Sequence, residues 1–267
     1  MASPQTRRLR LWQDRIATDV EVAGSGPALV YLHGPWGLPP DRSFVAGLAQ
    51  AHTVYAPRFP GTTPDDPEAA HALSGWLDLV VYHGELLERL QLDGPACVVG
   101  HSFGALVAAE LAAAARQSVK KLVLIDPVGL WRDDAPVKNW MVLSDAERRP
   151  SLFADPQGEA AQRFFAVPAD AAARVDALAP LIWAQACTGK FVWPIADRGL
   201  RRRIHRIAAP TLIVWGESDR IAAPLYGKEF AALICGARVE FIAKAGHLPH
   251  LEQPEATANA VLDFLDG

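Results

Sequence analysis

Six short apolar runs rich in β-branched residues constrain the fold of this chain more than any other feature. Each run has the length of a β-strand and is bounded by Gly, Pro or Asp. Helical patterns occupy most of the intervals between them, at roughly 74–91, 103–116, 224–234 and 254–266. Continuous apolar strands that alternate with helices predict a mostly parallel sheet covered by helices on both faces. The runs are "ALVYLH" (28–33), "TVYAPRF" (53–59), "ACVVGH" (96–101), "KLVLID" (121–126), "TLIVWG" (211–216) and "RVEFI" (238–242).

Two regions outside this alternation set the domain organisation. The N-terminal "RRLRLWQDRIATDVEVAGSGP" alternates in short pieces and predicts an antiparallel lead-in hairpin, which brings the sheet to eight strands. Residues from about 130 to 205 contain helix-like pieces but no convincing strand. We therefore expect an α/β core formed by residues 1–129 and 206–267, with residues 130–205 inserted as a helical cap. The cap segment is rich in aromatic side chains: Trp131, Trp140, Phe153, Phe164, Phe165, Trp183, Phe191 and Trp193.

Charge and cysteine content exclude several classes of protein. Against 30 acidic side chains there are 26 basic ones, and this near balance predicts no nucleic-acid partner. The three cysteines are far apart, with no CxxC pair, and indicate neither a disulfide framework nor a zinc site. The first residues predict neither a signal peptide nor a membrane span. The expectation is a cytoplasmic protein with no membrane partner; the oligomeric state stays open.

The stretch "VVGHSFGALVAAE" (98–110) carries the strongest catalytic pattern. It places Gly100, Ser102 and Gly104 in a Gly-x-Ser-x-Gly motif between an apolar strand and a helix. This context is typical of a nucleophile elbow, in which a serine occupies a strained turn and glycines allow neighbouring backbone to pass close by. The alternative is an ordinary strand-to-helix turn capped by a serine.

A serine nucleophile needs a base, and the base needs an acid that orients it. His247 follows the last predicted strand on a glycine-bearing loop, so it can reach the carboxyl edge of the sheet. Asp219 follows the strand beginning at Thr211, and the order serine, acid, histidine favours it. Asp126 is the alternative acid, because it ends the strand after the elbow helix. His250 lies near His247, but no HExxH pattern exists, so we expect neither a metal nor another cofactor.

Together these motifs resemble the α/β-hydrolase fold family, and within it the serine hydrolases with a helical cap. The resemblance extends from "GSGPALVYLHG" through "GHSFG" and "WGESDRIAAP" to "AGHLPHLEQPE". It implies an oxyanion hole made by the backbone amides of residue 35 and Phe103. Residue 35 is proline, which has no amide hydrogen. We therefore expect Trp36 to donate in its place, through its backbone or its indole N–H; the alternative is that Pro35 and Trp36 only stiffen the loop at the edge of the cap.

The resulting functional expectation is hydrolysis of a small to medium hydrophobic carboxylic ester or lactone through an acyl-enzyme. Its partner would be a hydrophobic acyl substrate, bound by Trp36, Trp131, Trp140, Trp183 and Phe191. Similar capped enzymes cleave carbon–carbon bonds in diketones, and a basic cap residue facing a substrate carboxylate would favour that alternative. The cap residues available for this role are Arg132, Arg163, Arg174 and Lys190. A non-enzymatic ligand sensor on the same fold is the remaining alternative.

Overall fold

One sheet organises the fold in the computed structural model, which describes residues 5–62 and 66–267. Within these residues the strand order is β1-β2-β4-β3-β5-β6-β7-β8. Only the β1–β2 and β2–β4 pairs are antiparallel. The predicted eight-stranded, mostly parallel sheet and its lead-in hairpin are therefore confirmed. The strands are β1 Gln5–Leu11, β2 Ile16–Ala23, β3 Ala28–Leu32, β4 Thr53–Pro57, β5 Ala96–His101, β6 Val119–Ile125, β7 Thr211–Gly216 and β8 Arg238–Ile242.

Helices connect the strands and cover both faces of the sheet. The four predicted helices are confirmed as α2, α3, α7 and α9, whereas the short α1 gave no clear pattern in the sequence. The helices are α1 Ser43–Leu48, α2 Trp76–Leu90, α3 Phe103–Ala114, α4 Asp145–Leu152, α5 Glu159–Phe164, α6 Ala171–Val192, α7 Leu225–Leu233, α8 Pro249–Glu252 and α9 Pro254–Asp266. None of these helices is long and apolar enough to cross a membrane.

Alternating side chains of the central strands divide the core into two layers. Val98 of β5 packs in a cluster with residues of α2, α3 and α7, whereas its neighbour Val99 packs in a second cluster with residues of α1 and α9. This follows from the two-residue period of a strand, which sends successive side chains to opposite faces. Because both faces are buried, the central strands are apolar throughout, and this is why the sequence reveals them so clearly.

The segment between β6 and β7 contains α4, α5 and α6 and, in the part of the chain that the structure describes, no strand. Helix α4 begins with a capping box formed by Ser144 and Glu147. The Glu147 carboxylate accepts hydrogen bonds from the backbone amide and the hydroxyl of Ser144. Helix α6 begins at Asp170, whose carboxylate accepts a hydrogen bond from the Ala173 amide. These local signals explain the helices, while the assignment of residues 130–205 as a separate cap stays a prediction.

The carboxyl ends of the parallel strands lie along one edge of the sheet. Loops that follow β3, β5, β6, β7 and β8 therefore converge there, which is where open α/β sheets place their ligands. The predicted Ser102, Asp126, Asp219 and His247 all lie on these loops.

Candidate active site

Ser102 lies on a sharp turn between β5 and α3. Its backbone has φ 52° and ψ −111°, an unfavourable conformation for a residue with a side chain, and its side chain is fully buried. The two motif glycines allow this turn to pack. A Cβ on Gly104 would lie 2.2 Å from the Leu32 carbonyl oxygen, and one on Gly100 would lie 2.6 Å from the Ala105 Cα. The backbone has the geometry that a nucleophile elbow requires.

Hydrogen bonds connect Ser102, His247 and Asp219 in a single chain. The Ser102 Oγ lies 2.9 Å from His247 Nε2, and His247 Nδ1 lies 2.8 Å from Asp219 Oδ2. The second oxygen of Asp219, Oδ1, accepts hydrogen bonds from the amides of Ile221 and Ala222 at 2.8 and 3.1 Å. With Nδ1–H donating to the carboxylate, Nε2 is left to accept the serine proton. All three side chains are buried, so solvent does not compete for these bonds.

Asp126, the alternative acid, lies beside Asp219 but has no hydrogen bond to the histidine. Its Oδ1 accepts a bond from the Gly216 amide at 3.0 Å, and its Oδ2 is buried without a partner among the described residues. Burial and the negative charge of Asp219 raise the pKa of Asp126 well above its usual value, which disfavours the charged form of this carboxyl. The structure therefore brings Asp219, and not Asp126, into contact with His247.

Asp126, Asp219 and His247 form the one group of potential metal ligands found within residues 5–62 and 66–267. One ligand atom from each of Asp126, Asp219 and His247 lies within 4.8 Å of the others. Both oxygens of Asp219 and both nitrogens of His247 already make hydrogen bonds. A metal ion at this position would have to replace those bonds, so the arrangement is better suited to moving a proton.

The loop carrying His247 is attached to the inserted segment. The His247 amide donates to the Leu152 carbonyl at 2.9 Å, at the end of α4. Glu252 accepts hydrogen bonds from the amides of Gly246 and Ala154 at 2.6 and 2.9 Å. Sequence analysis missed Glu252, whose only signal is an acidic residue five positions after the histidine. The carboxylate fixes the histidine loop against the residues that follow α4.

His33 and His101 are buried next to the site and make structural hydrogen bonds. His33 Nδ1 donates to the Gly34 carbonyl at 2.7 Å, and its Nε2 accepts from the Phe59 amide at 3.3 Å. His101 Nε2 donates to the His247 carbonyl at 2.8 Å. Burial lowers the pKa of His33 to about 3 and lowers the pKa of His101 well below its usual value. Both rings are therefore neutral and position the backbone around the site.

The loop after β3 forms a tight turn from Gly34 to Gly37. The Gly37 amide donates to the Gly34 carbonyl at 3.2 Å, and Gly37 has φ +80°. Proline suits the second position of such a turn because its ring fixes φ near −65°. Neither the backbone nor the indole N–H of Trp36 has a hydrogen-bond partner within the described residues, and the same is true of the Phe103 amide. These donors are available to an oxygen of a bound substrate.

The Trp36 side chain lies between the histidine and the inserted segment. Its ring centroid is 6.0 Å from that of His247, 6.3 Å from Trp140 and 6.2 Å from Phe164. Only 7% of Trp36 is exposed. The predicted Trp36 and Trp140 thus meet beside the histidine, and the indole covers one side of the buried Ser102–His247 pair.

Trp36 also lines a cavity of about 410 Å³. Gly34, Trp36 and His101 line it from the core, and Phe164 and Leu181 line it from α5 and α6. Ser102 itself does not line it, but His101, the residue before Ser102, does. The cavity volume lies within the range of about 300–1,000 Å³ that is typical of small-molecule sites.

Of the five predicted substrate-binding aromatics, Trp36 lines this cavity and the other four do not. Trp140 contacts Trp36, whereas the remaining three have other surroundings. Phe191 is buried in the core, Trp131 donates its indole N–H to Asp133, and Trp183 is 38% exposed. None of the three is among the lining residues. Aromatic content does not tell which face of a helix is turned toward the cavity, and the role of these aromatics in substrate binding stays a prediction.

The basic residues of the inserted segment differ in position. Arg163 lines the cavity, where it pairs with Glu159 at 2.9 Å. Arg132, Arg174 and Lys190 do not line it. Two core arginines that sequence analysis did not consider, Arg42 and Arg58, do. The sequence signal for Arg58 was its position directly after β4, at the edge where the functional loops converge.

Comparison with known proteins gives consistent matches over nearly the whole chain. The model of the alpha/beta hydrolase family matches residues 29–260. The chain is 26% identical over 261 residues to 2-hydroxy-6-oxo-6-phenylhexa-2,4-dienoate hydrolase of Burkholderia cepacia, with 91% of this chain and 89% of that protein covered. It is 29% identical over 257 residues to pimeloyl-[acyl-carrier protein] methyl ester esterase of Aromatoleum aromaticum, with 90% and 99% covered.

Two further matches differ in kind. The polyketide synthase ThaQ of Burkholderia thailandensis is 29% identical over 263 residues, and these are 91% of this chain but only 12% of that protein. The crystal structure of a membrane phospholipase A, a bacterial virulence factor, superimposes with a TM-score of 0.79 at 22% identity, covering 99% of this chain and 86% of the other. At such identity this second likeness concerns the fold alone.

Proposed function

The chain belongs to the alpha/beta hydrolase family, and from this premise we propose that it is a serine hydrolase that cleaves a small to medium hydrophobic carboxylic ester or lactone. The observation that carries the proposal is the unbroken hydrogen-bond chain from Ser102 Oγ through His247 to Asp219. An esterase among its relatives, the pimeloyl-[acyl-carrier protein] methyl ester esterase, supports the choice of bond.

In the proposed reaction, Ser102 Oγ attacks the ester carbonyl carbon while His247 Nε2 accepts the hydroxyl proton. Asp219 keeps the imidazole in the required tautomer and stabilises its positive charge. The carbon–oxygen bond to the alcohol then breaks, and His247 gives the proton to the leaving alkoxide. Water, activated by the same histidine, hydrolyses the acyl-enzyme, releases the carboxylic acid and restores Ser102.

The oxyanion formed in each step needs hydrogen-bond donors. We propose the Phe103 amide and an N–H of Trp36, because each is free of other partners in the described structure. Phe103 follows Ser102 at the start of α3, and the Trp36 ring lies 6.0 Å from that of His247. One oxyanion donor is worth about 2.7–4 kcal/mol of transition-state stabilisation. Because Pro35 has no amide hydrogen, efficient turnover requires that an N–H of Trp36 donate to the oxyanion instead.

We also propose that residues 130–205 act as a cap that shapes the substrate cavity. Phe164 and Leu181 of this segment line the 410 Å³ cavity, and Trp140 packs against Trp36. A cap of this kind would keep the acyl chain away from bulk water and leave the ester carbonyl directed to Ser102.

The test compares the wild type with Ser102→Ala. Both proteins are incubated with a fluorophosphonate probe and with p-nitrophenyl esters of two to eight acyl carbons. We expect covalent labelling and ester turnover in the wild type, and neither in the variant. Absence of labelling in folded wild-type protein would contradict the proposal.

A carbon–carbon bond hydrolase is the second candidate. Its support is the similarity to 2-hydroxy-6-oxo-6-phenylhexa-2,4-dienoate hydrolase, together with Arg163 of the inserted segment at the cavity wall. Labelling of Ser102 without turnover of any ester would favour this candidate. Incubation with a ring-fission diketone, followed by loss of its visible absorbance, would then identify the bond that is cleaved.

A further inference from the structure

Two arginines at the cavity wall share a single carboxylate. Arg42 donates from Nε and Nη2 to the two oxygens of Glu21, at 3.1 and 2.9 Å. Arg58 donates from Nη2 to one of the same oxygens at 3.2 Å. Two guanidinium groups and one carboxylate leave an excess of one positive charge, because arginine does not lose its proton in proteins.

Neighbouring acidic groups do not remove this excess. Asp19 is bound by Arg8 at 2.7 Å, and Asp41 accepts the Ser43 amide at 2.9 Å and lies 3.6 Å from Arg163. The Nη1 atom of Arg42 is buried and has no partner within the residues that the structure describes. A buried N–H without an acceptor is costly, and a bound anion would supply one.

Both arginines lie at the wall of the cavity, which Ser102 itself does not line. They line the 410 Å³ cavity together with Gly34 and His101, and His101 directly precedes Ser102. The other charged groups on the wall are Arg163, which has its own acidic partners, and the exposed Asp176 of α6. Positive charge therefore lies on the core side of the cavity, and Asp176 lies on the helix opposite.

We propose that Arg42 and Arg58 bind a carboxylate at the far end of the acyl chain. The proposal rests on the proposed function and narrows the substrate to half-esters of dicarboxylic acids, whose chain would cross the apolar part of the cavity. The planar guanidinium fork matches the two oxygens of a carboxylate, which a single ammonium group does not. Glu21 holds the two forks side by side, since it is fixed in β2 opposite Ala56 of β4.

The test uses two esters of equal chain length, p-nitrophenyl hexanoate and mono-p-nitrophenyl adipate, which differ in a terminal carboxylate. The quantity measured is the ratio of kcat/KM for the adipate to that for the hexanoate, which does not depend on how much of a sample is folded. We expect a ratio above one in the wild type. Arg58→Gln should lower it about tenfold, as loss of one charge-assisted hydrogen bond would.

Two further variants separate charge from structure. Glu21→Gln removes the internal competitor and should raise the ratio. Arg174→Gln is the matched control and should leave the ratio unchanged. Within residues 5–62 and 66–267, this exposed guanidinium bonds only the backbone carbonyls of Pro168 and Ala169. A ratio that is unaltered in Arg58→Gln, or that does not rise in Glu21→Gln, would overturn the proposal.

Binding measured without turnover keeps this inference separate from the proposed reaction. Monomethyl adipate and methyl hexanoate are titrated calorimetrically into Ser102→Ala, which cannot form an acyl-enzyme. Tighter binding of the adipate, weakened at higher salt, supports the carboxylate site even if neither p-nitrophenyl ester is turned over. Equal binding of the two would refute the site while leaving the serine hydrolase proposal intact.

Discussion

The two walls of the candidate site are built in different ways. On the sheet side, directed hydrogen bonds at 2.8–2.9 Å fix Ser102, His247 and Asp219, and all three are buried. On the side of the inserted segment, Phe164 and Trp140 meet Trp36 only through ring contacts about 6 Å apart. Directed bonds define the position of each atom, whereas ring packing tolerates changes of shape. The first wall is suited to chemistry and the second to substrate choice.

Exchange of the acid gives the largest expected effect on the sheet side. Asp219→Asn should lower kcat about 10⁴-fold, because an amide cannot hold the imidazole in the required tautomer. Asp126→Asn should cost less than about tenfold, since His247 is bonded to Asp219 and an asparagine oxygen can still accept the hydrogen bond from the Gly216 amide. Steady-state hydrolysis of one p-nitrophenyl ester measures both. The opposite ranking would assign the acid to Asp126.

The elbow glycines should be nearly as intolerant, although they take no part in the chemistry. A Cβ on Gly104 would lie 2.2 Å from one backbone oxygen and 2.4 Å from another. We expect Gly104→Ala to lower the free energy of unfolding by about 3 kcal/mol or more, or to prevent folding. Gly84→Ala is the matched control: no atom lies within 4 Å of a Cβ there, and a helical alanine should stabilise by about 1 kcal/mol. Urea unfolding distinguishes the two.

Acid should lower the free energy of unfolding through the buried histidines. Burial lowers the pKa of His33 and His250 to about 3 and that of His83 to about 4. These histidines take up protons near pH 6.5 only when the chain unfolds, so the stability they contribute is complete above pH 6.5 and is lost as pH falls toward 4. Each contributes a slope of about 1.4 kcal/mol per pH unit.

Urea unfolding between pH 7 and 5 measures this slope. The His83 ring packs against Phe59, and its buried Nε2 has no partner among the residues that the structure describes. His83→Phe therefore keeps the ring packing and removes one titrating group. In this variant, the free energy of unfolding should change less steeply with pH, by about 1.4 kcal/mol per pH unit, which corresponds to one proton. Stability that does not change between pH 7 and 5 would contradict the assignment of these histidines as buried and neutral.

The smallest effects are expected on the inserted segment. Phe164→Ala should reduce kcat/KM for a hexanoate ester about tenfold, mainly through KM, because Phe164 lines the cavity and touches Trp36. Trp183→Ala should stay within about twofold, since the Trp183 side chain does not line the cavity. If Trp183→Ala reduces kcat/KM more than Phe164→Ala does, the Trp183 face of α6 must turn toward the cavity during catalysis.

The difference between the walls also explains what the sequence could predict. Strands buried on both faces are recognisable as continuous apolar runs. Ser102, Asp219 and His247 could be placed together because each follows a strand that ends at the same edge of the sheet. Phe164 and Leu181 could not be foreseen as cavity residues, because helix rotation depends on packing with loops far away in the chain. Glu21 of β2 pairs with Arg42, which precedes α1, and with Arg58, which follows β4. No local sequence pattern predicts a pairing between such distant segments.

The bond from the His247 amide to Leu152, together with the Glu252 contacts to the residues after α4, affects how such an enzyme could be recombined. A chimaera that exchanges the whole of residues 130–205 for the corresponding segment of a relative would also lose Leu152 and Ala154, whose hydrogen bonds hold the His247 loop. Retention of residues 152–155 should let a foreign segment change substrate preference without displacing His247, the proposed general base. The boundary for transplanting specificity therefore lies inside the insertion, and not at its ends.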